Sequence, residues 1–278
     1  MGISCDLHTH SIFSDGTWTP AQLIAEAERI GLSAIALTDH NTVAGLPDFL
    51  AAAKHSPVRV IPGIEFSVDW KGIELHMLGL FVQPRHYSAI NALLDEGKRL
   101  KEQSNLDLVQ KLKELGYPMD YTTLRDASPT GQINRANIAA ELVRLGYFAS
   151  IKEAFDQLLS QKRGYYIPPK RPDARQTIQF IRSIGAVSVL AHPLMTLTEQ
   201  ELLAFLNENP EILPDAMETI YSTYDPATTA KAKEIARAYG MKESGGSDFH
   251  GDNKPDIQLA VGRGNLFIPA EIADCLAL

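Results

Sequence analysis

Short apolar segments alternate with amphipathic segments along most of the chain. The apolar ones have the length of buried strands, and the amphipathic ones repeat with the 3.6-residue period of a helix. Strands are predicted over residues 3–7, 34–38, 58–62, 75–82, 186–191, 216–221 and 242–245. Helices are predicted over residues 20–30, 43–54, 174–183, 199–207 and 226–239. Apolar strands this short, separated by helices, indicate a parallel sheet buried on both faces.

The alternation is interrupted in the middle of the chain. After Pro84 the periodicity is helical only, over residues 87–115, 133–145 and 150–159, with no strand between these stretches. We therefore predict a helical insertion domain at residues 84–168 within a barrel domain formed by residues 1–83 and 169–278. An insertion that leaves after a fourth parallel strand starts at the end where βα barrels collect their active sites, so it would cap such a site.

Length and composition limit the class of protein to which the chain can belong. A length of 278 residues and a hydrophobic content of 45% suit one barrel-sized domain with an insertion. No apolar run approaches the roughly 18 residues of a membrane span, and the N-terminus lacks the basic start of a signal peptide. We therefore expect a cytoplasmic protein without membrane contact. Cys5 and Cys275 form neither a disulfide framework nor a zinc-knuckle spacing.

The net charge of −8 is unevenly distributed. Residues 83–182 contain 16 Lys and Arg against 11 Asp and Glu, whereas the rest of the chain contains 10 against 23. An acidic body with a basic insertion favours an anionic ligand. The acidic total argues against an extended RNA track, which depends on many cationic phosphate contacts.

Nine side chains able to bind metal stand at the ends of the apolar segments. They are His8, His10, Asp15, His40, Glu65, His76, His192, Asp248 and His250. A single strand-end histidine is more often a packed, hydrogen-bonded residue than a ligand. In this set, however, His8 and His10 lie two residues apart, as do Asp248 and His250, and alternate strand residues point to one side. Imidazole and carboxylate together suit Zn²⁺, Fe²⁺ or Mn²⁺, and nine ligands exceed the needs of one ion.

The motifs around these residues resemble those of the PHP (polymerase and histidinol phosphatase) superfamily of metal-dependent phosphoesterases. In chain order they are His8-Thr9-His10 with Asp15, Thr38-Asp39-His40-Asn41, Gly63-Ile64-Glu65, His76, Ala191-His192-Pro193 and Gly246-Ser247-Asp248-Phe249-His250. The order of the motifs is far more specific than any one of them. The resemblance implies an α/β fold, a distorted TIM-like (β/α)7 barrel, with a trinuclear metal site.

The resemblance also implies how the ligands divide among three ions, with one glutamate shared. The three sets are His8, His10, Glu65 and Asp248; Glu65, His76 and His192; and Asp15, His40 and His250. Many family members have histidine at the position of Asp15, and a carboxylate there favours harder ions such as Mn²⁺, Fe²⁺ or Mg²⁺. We therefore expect two to three divalent ions, namely Mn²⁺, Fe²⁺ or Zn²⁺, with Mg²⁺ an option at the Asp15 set.

The insertion narrows the resemblance to the nucleotide phosphatase branch of the superfamily. This narrower resemblance rests on two segments, Asn134-Arg135-Ala136-Asn137-Ile138-Ala139 and Tyr165-Tyr166-Ile167-Pro168. That branch hydrolyses nucleoside 5′-monophosphates such as AMP and 3′,5′-bisphosphates, and some members trim RNA from its 5′ end. There Ala-His-Pro often continues with Gly-Arg-Tyr, whereas this chain continues with Leu194-Met195-Thr196 and lacks that arginine.

The expected mechanism is hydrolysis by metal-bound hydroxide, which needs no serine or cysteine nucleophile. Asp39, Glu65 and His250 are assigned catalytic roles. For Asp39 two roles are open: it either orients a ligand histidine or caps the helix that follows. Four residues in or next to the insertion are candidates for contact with the substrate: Asn134, Arg135, Arg163 and Lys170. A guanidinium can bind two phosphate oxygens at once, and the alternative for the three cationic residues is a salt bridge on the protein surface.

The expected substrate is a small phosphorylated molecule, a nucleotide first of all, and no obligate protein partner is predicted. Other functions stay open. A histidinol phosphatase, or a 5′-3′ exonuclease acting on an RNA 5′ end or a short oligonucleotide, would use the same chemistry. An amidohydrolase-type C–N hydrolase usually needs a carboxylated lysine, and no lysine stands at a predicted strand end with the other ligands. A binding module without metals would not retain all nine ligand positions.

Overall fold

The computed structural model describes residues 4–128 and 133–277. The chain divides into two compact units, one made of Met1–Asn91 and Arg171–Leu278 and the other of Ala92–Lys170. We call them the barrel unit and the helical unit. In the part of the chain that is described, no helix combines the length and apolar character needed to cross a membrane.

Within the described residues, seven strands form one sheet in sequence order. They are β1 (Cys5–Asp6), β2 (Ala34–Leu37), β3 (Arg59–Trp70), β4 (Ile73–Leu80), β5 (Val187–Ala191), β6 (Ala216–Tyr221) and β7 (Lys242–Gly246). Leu7 N–H donates to the carbonyl of Gly245 (3.2 Å), and Asp248 N–H donates to that of His8 (2.9 Å). These bonds join the first and last strands, so the sheet is a nearly closed barrel and the predicted α/β barrel is confirmed.

The helices alternate with the strands except in the middle of the chain. They are α1 (Pro20–Arg29), α2 (Leu46–Ala52), α3 (Tyr87–Glu114), α4 (Tyr121–Ala127), α5 (Arg135–Arg144), α6 (Ile151–Ala154), α7 (Ala174–Ser183), α8 (Pro193–Thr196), α9 (Glu199–Glu208), α10 (Pro226–Ala238) and α11 (Ala270–Leu276). Thr19 caps α1: its side chain accepts from the backbone N–H of Gln22, whose side chain accepts from the N–H of Thr19.

The parallel strands are covered on both faces. Every residue of β2, β5 and β6 is buried, which is typical of strands in a βα barrel. One apolar cluster joins side chains from β1 through β6 with the C-terminal helix, and Leu7, Ile61, Val189 and Leu276 are among its buried members. Burial of this apolar surface holds the ends of the strands, and thus the candidate ligands, in place.

The fourth strand runs against its neighbours. β4 pairs antiparallel with both β3 and β5, so the expectation that all strands are parallel is wrong here. β3 also continues to Trp70 instead of ending near Pro62. Lys71 and Gly72 have positive φ values of 53° and 83° and connect β3 directly to β4. A two-residue turn with positive φ at both positions is the hairpin type that joins adjacent antiparallel strands.

This reversal changes where the chain leaves the sheet. Leu80, the last residue of β4, pairs with Val187, the first residue of β5. The chain therefore leaves β4 at the level where the parallel strands begin, opposite to their carboxyl ends. The prediction that the insertion starts at the ligand-bearing end of the barrel is wrong.

The helical unit has its own core. Buried apolar residues from α3, α5 and the following segment pack together, among them Leu112, Ile138, Leu142 and Leu159. The single helix predicted over residues 150–159 is instead the short α6 followed by a π-helical turn at Phe155–Leu159. The described part of this unit contains helices and turns and no strand.

Candidate metal centre

The structure brings the nine predicted ligand side chains together in the barrel unit. Seven of them follow the carboxyl ends of β1, β2, β5 and β7, while the other two lie within strands. Glu65 is the seventh residue of β3. His76 lies in β4, where it pairs with Ser67 of β3 and with Ala191, the last residue of β5. His76 is therefore level with the carboxyl end of β5, where His192 follows.

Glu65 is at the centre of the cluster. Its fully buried carboxylate lies close to five imidazole rings. Glu65 Oε2 is 3.1 Å from His8 Nε2, from His10 Nε2 and from His40 Nδ1, and Oε1 is 2.8 Å from His76 Nδ1 and 3.2 Å from His192 Nε2. These rings come from four strands of the barrel, so one carboxylate joins groups that are distant in sequence.

Two further carboxylates extend the cluster. Asp248 Oδ1 is 3.2 Å from His10 Nε2 and 3.4 Å from His250 Nδ1. Asp15 Oδ1 is 3.2 Å from His250 Nε2, and Asp15 Oδ2 is 3.8 Å from His40 Nε2. His10 lies between the two carboxylates, because its Nδ1 is 3.7 Å from Asp15 Oδ1.

Among the residues that the structure describes, four groups of side chains have ligand atoms within 4.8 Å of one another. They are His8, His10, Glu65 and Asp248; His10, Asp15, His40 and His250; His40, Glu65 and His76; and His8, His192 and Glu218. The first group equals one of the sets implied by the family resemblance, and the second contains another, with His10 added. The third implied set is divided here, since His76 and His192 fall into different groups.

Several buried atoms of the cluster have no hydrogen-bond partner of acceptable geometry, although other ligand atoms lie about 3 Å away. They are His8 Nε2, His10 Nε2, Asp15 Oδ1, His40 Nδ1, Glu65 Oε2, His76 Nδ1 and His192 Nδ1. Leaving so many buried polar atoms unpaired costs folding free energy. Divalent cations would satisfy converging imidazole and carboxylate atoms at once, so the residues present fit a metal site.

The protonation of the metal-free cluster follows from burial and mutual charge. Burial opposes ionisation of Glu65 and Asp248, but the surrounding imidazoles hold both pKa values well below the usual range. Burial also disfavours charged imidazole, yet nearby carboxylates raise the pKa of His10 to about 9 and that of His76 to about 10. For His40 burial prevails, and its pKa falls to about 3. Burial also opposes the charged form of His8, but Glu65, Glu218 and Asp248 raise its pKa well above the usual range. Metal binding therefore displaces protons from His8, His10 and His76.

Three residues of the ligand loops have left-handed backbone conformations. His192 has a φ of 30°, Asp248 of 57° and Asn41, next to His40, of 49°. Such conformations cost about 1–3 kcal/mol each for residues other than glycine, and they occur often at functional sites. At Asn41 the cost is offset locally, since its side chain exchanges two hydrogen bonds with Ser67.

A glycine permits the close approach of β7 to the residue that follows β1. A Cβ atom added to Gly246 would lie 2.2 Å from His8 Cβ and 2.8 Å from His8 N. Real Cβ atoms essentially never come this close to another heavy atom. The glycine of the Gly246-Ser247-Asp248 motif thus lets His8 and Asp248 lie side by side.

Asp39 makes no direct hydrogen bond to a ligand histidine, and it contacts one of them, His10, only through Ser14. Its carboxylate accepts from the backbone N–H and the hydroxyl of Ser11 and from the hydroxyl of Ser14, each at 2.7 Å. It does not cap α2, whose N-cap residue is Gly45. Burial raises the pKa of Asp39. Asp39 therefore fixes the loop between His10 and Asp15, and it reaches His10 only through Ser14.

The predicted substrate contacts all belong to the helical unit, and three of them have structural partners there. The side chain of Asn134 caps α5. The guanidinium of Arg135 lies 4.2 Å from the centre of the Tyr166 ring. Arg163 donates to a backbone carbonyl of its own unit at 2.7 Å, and Lys170 is exposed. Contact of these residues with phosphate stays a prediction.

The sequence reasoning missed Glu218, a fully buried glutamate in β6. Its Oε1 is 2.9 Å from His8 Nδ1, and its Oε2 accepts from the backbone N–H of His192 at 2.7 Å. It also missed Lys254, whose ammonium lies 2.6 Å from Asp248 Oδ2. One signal for Glu218 was available, because an acidic residue inside a short apolar strand needs a buried partner.

Comparison with known proteins adds relatives that share most of the chain. A family model described as PHP domain matches residues 6–167. A 5′-3′ exoribonuclease of Haemophilus influenzae is 30% identical over 246 residues, which are 88% of this chain and 89% of that protein. A 3′,5′-nucleoside bisphosphate phosphatase of Chromobacterium violaceum is 26% identical over 88% of this chain and 86% of its own length.

Solved structures agree with the fold. A protein of Bifidobacterium adolescentis, assigned as a metal-dependent phosphoesterase, superimposes with a TM-score of 0.84 at 25% identity. The superposition covers 100% of this chain and 98% of that protein. The likeness therefore includes the segments of both units.

Proposed function

Because this chain belongs to the PHP domain family and is a metal-dependent phosphoesterase, we propose that it hydrolyses phosphate monoesters of nucleotides. The substrate is a nucleoside 5′-monophosphate such as AMP, or a 3′,5′-bisphosphate. The cluster around Glu65 is the observation that carries this proposal. Two relatives support the substrate class, since one is a nucleoside bisphosphate phosphatase and the other an exoribonuclease.

The nine clustered side chains would hold two to three divalent ions of Mn²⁺, Fe²⁺ or Zn²⁺, with Mg²⁺ an option near Asp15. Such ions, when bound, polarise phosphoryl oxygens, raise the acidity of bound water and neutralise developing charge. Glu65 contacts histidines of all three proposed sets, so it would be the ligand that the sets share.

The substrate phosphate approaches from the open side of the cluster. The side chains of Asp15, His40 and His76 are 33%, 22% and 23% exposed, whereas those of His8 and Glu65 are fully buried. An anionic phosphate would therefore approach bound ions on the side of Asp15, His40 and His76. The buried His8 would hold an ion from the opposite side.

His250 serves as a ligand whose ring is oriented by a backbone carbonyl. Its Nδ1–H donates to the backbone carbonyl of Asp248 at 2.8 Å, which leaves Nε2 as the unprotonated nitrogen. That atom lies 3.2 Å from Asp15 Oδ1. A ring fixed in this tautomer presents a lone pair to a cation beside Asp15.

A monophosphate is processed at least as well as a bisphosphate. The segment after His192 has no arginine for a second phosphate, and Leu194 donates its backbone N–H to the hydroxyl of Tyr224 at 2.8 Å. Met195, the next residue, is exposed. This segment can offer apolar contact, but it has no cationic side chain to bind a second phosphate.

The test is a substrate panel with metal-loaded protein. AMP, adenosine 3′,5′-bisphosphate, histidinol phosphate and p-nitrophenyl phosphate are compared by release of inorganic phosphate with Mn²⁺, Fe²⁺, Zn²⁺ or Mg²⁺. We expect the highest kcat/KM with a nucleotide. A higher kcat/KM with histidinol phosphate would refute the proposed substrate class, and absence of phosphate release from every ester would refute the monoesterase proposal.

A 5′-3′ exoribonuclease is the second candidate, because the Haemophilus influenzae relative matches almost end to end. A short 5′-phosphorylated oligoribonucleotide distinguishes the two. An exonuclease releases mononucleotides stepwise from the 5′ end, whereas a monoesterase releases inorganic phosphate and leaves the chain intact. Stepwise mononucleotide release at a higher kcat/KM than AMP hydrolysis would assign this chain to the exonucleases.

A further inference from the structure

One barrel strand contributes none of the nine proposed ligands. Every other strand contains a ligand or is followed by one, but β6 has none in its described residues. Two polar side chains of β6 are nevertheless buried against the cluster. Glu218 is 0% exposed and Tyr221 is 3% exposed. Both carry polar atoms that need hydrogen-bond partners once they are buried, so their contacts require an explanation.

An irregularity in β6 turns both side chains toward the cluster. Glu218 pairs with Ser244 and Ile220 with Gly245, so Thr219 is an extra residue with no partner in β7. In a regular strand, residues three apart point to opposite faces. An extra residue restores the same direction after three positions. The bulge therefore allows Glu218 and Tyr221 to act on one site.

Glu218 forms hydrogen bonds to two of the candidate metal-binding residues, His8 and His192. Its Oε1 lies 2.9 Å from His8 Nδ1 and accepts its proton in a hydrogen bond, so the nitrogen left for a cation is Nε2. That Nε2 is among the buried atoms without a hydrogen-bond partner. Glu218 Oε2 accepts from the backbone N–H of His192, the residue with a φ of 30°. One carboxylate thus fixes the tautomer of one ring and the backbone of another.

Tyr221 forms a hydrogen bond to a third candidate metal-binding residue, Asp248. Its hydroxyl donates to Asp248 Oδ2 at 2.7 Å, and the ammonium of Lys254 lies 2.6 Å from the same oxygen. The other oxygen, Oδ1, is then the one that lies 3.2 Å from His10 Nε2. Occupying Oδ2 from behind leaves Oδ1 directed into the cluster.

We propose that β6 is the support strand of the metal centre. Glu218 positions His8 and His192, Tyr221 positions Asp248, and neither residue binds metal itself. The inference rests on the proposed metal-dependent function and adds two positioning residues to it. Hydrogen-bond partners behind metal ligands usually change metal affinity 10- to 100-fold when they are replaced.

The test measures metal affinity directly. Glu218→Gln keeps the size of the side chain but leaves one acceptor oxygen for two donors. Tyr221→Phe removes only the hydroxyl. Each variant is stripped, titrated with Mn²⁺ or Zn²⁺ and competed against a chelator of known affinity. We expect roughly 100-fold weaker binding for Glu218→Gln and roughly 10-fold for Tyr221→Phe, where Lys254 still holds Asp248. The number of ions at saturation should equal that of the wild type.

Ser244→Ala is the matched control. Ser244 is fully buried in β7 beside Glu218, and its hydroxyl has no hydrogen-bond partner. It should keep wild-type affinity. A double-mutant cycle adds a readout that general destabilisation would not change: in a His8→Ala background, Glu218→Gln should weaken binding much less than in the wild type. Additive losses would mean that Glu218 does not act through His8.

Each outcome decides a separate point. Loss of a whole ion at saturation in Glu218→Gln would make Glu218 a direct ligand, contrary to the proposal. Wild-type affinity in both variants would overturn it as well. If Glu218→Gln does not fold, Tyr221→Phe still tests the role of the strand. A wild-type protein that binds no metal would instead overturn the proposed function.

Discussion

The substitution Glu65→Gln tests the metal centre at its most connected residue. The amide keeps the shape of the carboxylate, but it removes the negative charge and replaces one ligand oxygen by an NH2 group. Glu65 Oε2 lies 3.1 Å from three imidazole nitrogens and Oε1 lies close to two more. No rotamer of glutamine restores both oxygens, so at least two of these ligand positions are lost.

The expected loss of turnover in Glu65→Gln follows from the number of charge-assisted contacts that are lost. Each is worth about 1.5–3 kcal/mol, so two amount to about 3–6 kcal/mol. If this loss appears in the transition state, kcat falls roughly 10²- to 10⁴-fold, since each 1.4 kcal/mol is a factor of ten. The fold should survive, because the apolar cluster of the strands does not include Glu65.

The assay combines phosphate release with elemental analysis of the purified variant. Glu243→Gln is the matched control: this glutamate also lies on a barrel strand, but it pairs with Lys233 at 3.1 Å and is 35% exposed. It should keep wild-type turnover and metal content. A folded, fully metal-loaded Glu65→Gln protein with turnover within tenfold of the wild type would refute the bridging role of Glu65.

Three further predictions follow from the same cluster. The purified protein should contain two to three divalent ions per chain, and a chelator should abolish phosphoesterase activity; one tight ion at most would contradict a trinuclear site. Loading the metal-free protein at pH 7.5 should release about three protons, because carboxylates raise the pKa of His8 well above its usual range and those of His10 and His76 to about 9 and about 10. Titration calorimetry in two buffers of different ionisation enthalpy measures this, and zero release would contradict it. Arg135→Ala should raise KM for a nucleotide roughly 5- to 150-fold and for p-nitrophenyl phosphate less; equal losses would assign Arg135 to packing against Tyr166.

Much of the fold was predictable because local signals agree with the tertiary structure. The helix predicted at residues 20–30 is α1, Pro20–Arg29, whose N-cap Thr19 and following Gly31 are visible in the sequence. The strand predicted at residues 216–221 is β6 without change. The clustering of seven of the nine side chains follows from sequence, since the ends of parallel strands meet at one end of a barrel. Glu65 and His76 join them although they lie within β3 and the antiparallel β4.

The direction of β4 was not predictable from hydrophobic periodicity. Period alone does not distinguish parallel from antiparallel strands. Pro62 and Gly63 interrupt the apolar segment of β3, so the strand was expected to end at residue 62. The decisive signal is the short turn at Lys71 and Gly72. Only a hairpin can join two strands through two residues, whereas a parallel pair needs a crossover of a dozen or more.

The contacts of Glu218 could not be predicted from the sequence for a different reason. Its hydrogen bonds reach His8, 210 positions earlier in the chain, and His192, 26 positions earlier. No local pattern relates residues at such distances; the contact exists because the barrel closes and because Gly246 has no Cβ to separate β7 from His8. His8 and His192 are therefore linked twice, through Glu65 in front and through Glu218 behind. Loss of Glu65 should remove a bridge between ions, whereas loss of Glu218 should loosen the same two rings while the number of ions stays unchanged.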